Sequence, residues 1–146
     1  MKKLLLPLLL LYFFISCTKT EKDPIPVKVD PPINFIKYVY PTDLKEIKIR
    51  GYTIVDLKLS YNITDNELSQ KGFQIWQIAQ NKNSSNGTII NTEYLSKRSD
   101  TIEVKLELSM NPGDTTWLNT ELLSMRTDKS GSVIAKAELI PIIGIK

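Results

Sequence analysis

Val55, Leu57, Leu59, Tyr61 and Ile63 alternate with Asp56, Lys58, Ser60 and Asn62. Only an extended strand sends successive side chains to opposite faces, so this order makes one apolar and one polar face; a helix of about 3.6 residues per turn would mix them. Ile102, Val104, Leu106 and Leu108 repeat the pattern against Glu103, Lys105 and Glu107. Further strands are predicted over residues 35–40, 46–50, 72–79, 88–92, 115–125 and 132–140. Turn-forming residues separate them at 64–66, 81–87, 111–114 and 128–131, where Asn, Asp, Gly and Pro favour reversals. Residues 121–126 could pass for one helical turn, but they follow the β-favouring Thr115, Thr116 and Trp117. Seven to eight short strands in one run predict an all-β fold, a single antiparallel β-sandwich with the apolar faces inside; a barrel is the alternative.

Several of these pieces carry a family resemblance. Residues 54–65, Lys71-Gly72-Phe73, residues 102–108, Asn111-Pro112-Gly113, Trp117 and Thr127-Asp128-Lys129-Ser130-Gly131 together resemble a fibronectin type III or related immunoglobulin-like domain. In that family a Pro-Gly turn leads into the sixth strand and an Asp-Ser-Gly-like turn into the last. The resemblance implies an immunoglobulin-like sandwich over residues 33–146. No internal repeat is visible, so one module is expected.

The beginning of the chain has a different character. Lys2 and Lys3 precede an apolar run over residues 4–15, too short for the ~20 apolar residues of a spanning helix and suited to an export signal. The run ends in Phe14-Ile15-Ser16-Cys17, and Cys17 is the only cysteine. These residues resemble a bacterial lipobox, which implies cleavage after residue 16, acylation of Cys17 (palmitate among the chains) and attachment to a membrane without spanning it. Thr18 rather than Asp follows the cysteine, which by the same resemblance points to the outer membrane of the cell envelope. The alternative is a small apolar residue in a leader that is cut elsewhere. A single cysteine also forms no internal disulfide. Residues 17–32 hold Pro24, Pro26, Pro31 and Pro32, half of the 8 prolines, among scattered charges. They are expected to form a semi-stiff tether, or else a first strand through Ile25, Val27 and Val29.

Composition narrows the chemistry. The chain has no histidine, which removes His-based triads, imidazole bases and His-containing zinc sites. Its 19 basic residues, two of them in the leader, are interspersed with 16 acids, so no basic stripe suited to a phosphate backbone forms and no nucleic-acid partner is expected. Glu103 and Glu107 share a strand face ~13 Å apart, too wide for an acid and base pair. Ser16 and Lys19 match Ser-x-x-Lys only across the expected cleavage point. Asp65, Asn66 and Glu67 could offer oxygen to calcium, but turn chemistry accounts for them. Asn62, Asn83 and Asn86 open glycosylation-type triplets without consequence in a bacterial product. No enzyme, no cofactor and no metal are expected.

What remains is aromatic. Trp76 stands among Gln74, Gln77 and Gln80, and Trp117 beside Thr115, Thr116 and Asn119. Each tryptophan is either a flat platform for a sugar ring, with amides to hydrogen-bond it, or a large core residue. The expected role is a non-catalytic interaction or scaffolding lipoprotein of the cell surface, with a protein or glycan partner. The alternative is a glycan-binding accessory module using Trp76, Trp117, Gln74 and Gln77; the third reading is an inhibitor or immunity lipoprotein. The end of the chain, with Ile140, Ile142, Ile143 and Ile145 around Pro141, either completes the last strand or forms an apolar edge for a partner.

Overall fold

The computed structural model describes residues 33–84 and 86–146. The expected leader, Cys17, the tether and the alternative first strand lie outside the described residues. Nine strands follow one another: β1 (Phe35–Tyr40), β2 (Ile47–Ile49), β3 (Gly51–Asn62), β4 (Phe73–Gln80), β5 (Gly87–Leu95), β6 (Ser99–Met110), β7 (Thr115–Met125), β8 (Gly131–Lys136) and β9 (Ile140–Gly144). No helix occurs among the described residues.

The two alternating segments pair with each other. β3 and β6 run antiparallel over their whole length, with Leu57 opposite Val104, Val55 opposite Leu106 and Leu59 opposite Ile102. Their apolar sets therefore fall on one face. β1 pairs the other edge of β3, giving a sheet of order β1-β3-β6. The second sheet runs β2-β9-β7-β4-β5, with β8 also on β7. Strands one, three and six on one sheet and four, seven and the last on the other make an immunoglobulin-like sandwich, with β5 beside β4 on the larger sheet.

The inner faces meet in one core. Leu57, Leu59, Tyr61, Val104 and Leu106 of the small sheet pack with Ile49, Ile75, Leu118, Leu122, Ile140 and Ile142 of the large one. Burying each of these side chains contributes about 1.5–3 kcal/mol relative to exposure. On the solvent side of the small sheet, Lys58 meets Glu103 at 2.7 Å and Lys105 meets Asp56 at 3.6 Å. These are cross-strand pairs in register, and the alternation that fills the core also builds this charged face.

Two expectations need correction. The single strand expected over residues 132–140 is two, because β7 is too long for one short partner: β8 pairs with Glu121–Met125 and β9 with Thr115–Leu118. The nitrogen of Ala137 donates to Thr120 O at 2.9 Å where the chain steps from one to the other. That split raises the count from the seven or eight expected to nine. The sandwich is also not wholly antiparallel, since β2 runs parallel to β9.

The same pairing settles the tail. β9 is an interior strand between β2 and β7, with Ile140 and Ile142 almost fully buried. Pro141, which has no N–H to give, lies past the end of β2, whose partners are Ile142, Ile143 and Gly144. A β-carbon on Gly144 would overlap the carbonyl oxygen of Asn111, so the close approach of β9 to the Asn111–Asp114 turn requires glycine.

Candidate functional site

β4 carries both of the expected glutamines and one tryptophan, and the pleat sorts them. Ile75 and Gln77 face the core, whereas Gln74 and Trp76 face out on the large sheet. Gln77 is fully buried, and neither its Oε1 nor its Nε2 finds a protein partner. That removes Gln77 from any surface site. The sequence reading failed there because two residues of equal polarity three positions apart cannot share a strand face.

Trp76 and Trp117 both stand outside the core cluster, half-buried on the outer face. Their surroundings differ. Gln80 pairs with Trp117 and Trp76 with Glu121, so the two tryptophans are four residues out of register, ~13 Å of backbone along the strands. Lys82 Nζ sits 4.9 Å over the Trp117 ring, so that face is already engaged by a cation. Between the rings, Glu121 takes Lys136 at 2.6 Å and an Asn119 N–H at 3.0 Å, and Asn119 also donates to Gln80 at 3.1 Å.

Trp76 instead opens onto a cleft of about 600 Å³, within the roughly 300–1,000 Å³ usual for ligand sites. Its Nε1–H donates to Gln74 Oε1 at 2.7 Å, which fixes the tilt of the indole and leaves the Gln74 NH₂ as the amide's donor end. Tyr94 and Thr92 of β5 stand beside them, and Lys71, Arg126 and Lys129 come from the loops at the same end of the sheet. Tyr94 is 79% exposed.

These loops are tied to each other. Lys71 N donates to Met125 O at 3.1 Å, Met125 N to Gly72 O at 3.0 Å and Arg126 N to Ser130 O at 2.9 Å. Gly72, at φ +83°, takes the left-handed turn between Lys71, which lines the cleft, and the start of β4. Asp128 accepts within its own loop from Ser130 N at 2.9 Å and Ser130 Oγ at 2.6 Å. The Ser130 hydroxyl and then its N–H hold this carboxyl below the usual range.

Tyr94 and the three cations were missed by the sequence reading. The strand expected over residues 88–92 continues to Leu95, and the alternation Thr92, Tyr94 was the available signal. Lys129 read as a turn residue, Arg126 as the end of a possible helical turn and Lys71 only as part of a family-like Lys-Gly-Phe, because nothing local reports that the two loops are bonded neighbours.

The other candidates stay apart from this site. Glu103 is exposed on the small sheet, where the hydrogen bond from Lys58 holds its carboxyl below the ordinary range. Asp65 and Asn66 form the turn closed by Glu67 N to Thr64 O at 3.1 Å, and Glu67 Oε2 accepts from Asn34. Among the described residues no group of three or more Asp, Glu or Cys is placed to hold a metal ion, and no helix is long and apolar enough to cross a membrane.

No protein-family model and no curated protein matches the chain. Among solved structures, one described as fibronectin(III)-like modules of Clostridium thermocellum CbhA is similar at 10% identity, covering 76% of this chain and 99% of that one with a TM-score of 0.35.

Proposed function

We propose that this chain is an exported lipoprotein held at the outer membrane by acyl groups on Cys17, and that its sandwich is a non-catalytic module that binds saccharide on the outer face of the large sheet. One observation carries the binding role: Trp76, half-buried outside the core and fixed by its bond to Gln74, shares an open cleft with Tyr94. A flat, oriented aromatic surface suits the apolar face of a pyranose ring, and the free amide end of Gln74 suits its hydroxyl groups. The lone cysteine at the end of the apolar leader supports the anchor, and the proline-rich residues that follow would act as the spacer.

The test is binding of the detergent-solubilised full chain to a panel of oligosaccharides, compared with Trp76→Ala. Binding to at least one saccharide, weakened roughly tenfold or more in the variant, is expected for loss of a stacking platform. If no saccharide binds, or the variant binds equally well, the glycan role fails.

A further inference from the structure

The cleft that holds Trp76 is cationic, although the chain as a whole is nearly balanced in charge. Lys71, Arg126 and Lys129 line it, and no carboxylate does. Of the cations outside the cleft, five among the described residues, Lys48, Lys58, Lys97, Lys105 and Lys136, meet an Asp or Glu within 4 Å. None of the three cleft cations does so. Of the acids near the cleft, Glu121 is paired with Lys136 and bonded by Asn119, Glu93 accepts from Asn91 at 3.0 Å, and Asp128 is bonded by Ser130 with Arg126 near enough to favour its charged form.

The three cations also come from one end of the sheet. Backbone bonds join the turn before β4 to the turn after β7, Lys71 N to Met125 O at 3.1 Å and Met125 N to Gly72 O at 3.0 Å, and Lys129 N bonds Arg126 O at 3.2 Å within the second turn. A positive rim around an aromatic floor is complementary to a ring that carries negative charge at its edge. An arginine fork matches a planar carboxylate with two parallel hydrogen bonds, and lysine supplies a point charge for carboxylate or sulfate.

From this, and resting on the saccharide reading above, we infer that the ligand of the Trp76 cleft is an acidic saccharide, with the sugar ring on Trp76 and its carboxylate or sulfate group on Arg126, Lys71 and Lys129. A single-stranded nucleic acid also combines stacking with negative charge, but it needs a positive groove that tracks several phosphates. The three cations here sit at one end of the sheet around one cleft. They suit a short charged segment rather than a long backbone.

The experiment uses the detergent-solubilised full chain and matched probes: galacturonate, mannuronate and chondroitin sulfate tetrasaccharides, each beside its neutral form (methyl-esterified for the uronates, desulfated and methyl-esterified for chondroitin). A thymidylate oligomer serves as competitor. At least one acidic tetrasaccharide should bind roughly tenfold or more tightly than its neutral form, as expected for added charge-assisted hydrogen bonds. The triple variant Lys71→Gln, Arg126→Gln, Lys129→Gln, with all three sites exposed, should erase that difference at an unchanged melting temperature. Trp76→Ala should weaken both forms. Neutral forms that bind as tightly as the acidic ones would overturn the inference and leave the saccharide reading in place. A thymidylate oligomer that binds as tightly as the best tetrasaccharide would overturn it too, by showing a general polyanion surface. Binding of none of the six tetrasaccharides would remove the saccharide reading and this inference with it.

Discussion

The hydroxyl of Tyr38, on β1 of the small sheet, lies 2.8 Å from Oγ1 of Thr120, on β7 of the large one. This bond crosses the sandwich and joins the two sheets. Burial pushes the Tyr38 hydroxyl up to about 12 from 10.0, opposed by the Thr120 bond and aided slightly by Glu138. The folded protein therefore keeps a proton that the unfolded chain has lost, and stability, complete below about pH 10, falls as pH rises towards about 12. Part of the ring reaches solvent, so the effect is expected to be about 1–2 kcal/mol after screening. Tyr38→Phe should remove that share of the alkaline loss in urea titrations at successive pH values. It should also lower stability near neutral pH by about 1 kcal/mol, because Thr120, fully buried, loses its partner. An unchanged alkaline profile in the Phe variant would refute the assignment.

Gln77 has a full set of hydrogen-bonding atoms in the core and no protein partner for them. A buried, unpaired amide costs about 1–3 kcal/mol, whereas an apolar side chain of similar shape does not incur that loss. Gln77→Met should raise the denaturation midpoint, corresponding to about 1 kcal/mol. A drop in the midpoint would mean that the amide is bonded in solution.

The tail should behave as core. Ile142 is fully buried between β2 and β7, so Ile142→Ala should cost roughly 2–5 kcal/mol and lower the melting temperature by about 10 °C or more. Ile145, 36% exposed, is the contrast: Ile145→Ala should stay within about 0.5 kcal/mol. Equal, small effects at both positions would contradict interior placement of β9.

The anchor is tested separately. Under the proposed anchoring through Cys17, Cys17→Ala should shift the protein from the detergent phase to the aqueous phase and abolish its membrane association. Retention of the variant with membranes would exclude Cys17 as the attachment point.

Much of this fold was legible in the sequence because period-two alternation is itself a statement about faces. Val55 to Ile63 and Ile102 to Leu108 specified two strands, each with one face that has to be buried. The turns rich in Asn, Asp, Gly and Pro marked most strand ends. The alternation could not reveal which strands become neighbours. β2 joins β9, 95 residues further along from Ile47 to Ile142, and β7 accepts two partners end to end along one edge. Both follow from how far each backbone edge extends in space, which no local pattern records.

The site divides in the same way. Trp76 and Gln74 were visible as an aromatic and an amide on a strand, and the alternation already implied that Gln77 points to the other side. That Trp76 lies on the outer face and Gln77 in the core was decided by the opposing sheet, which covers only one face of β4. Lys71 and Lys129 are far apart in sequence, yet backbone bonds between two turns bring them to one cleft. Sequence by itself determined which residues alternate, where the chain reverses and which chemistry is absent for want of histidine. Tertiary structure alone decided which face became the core and which charges converge, because burial and proximity arise only when distant segments pair.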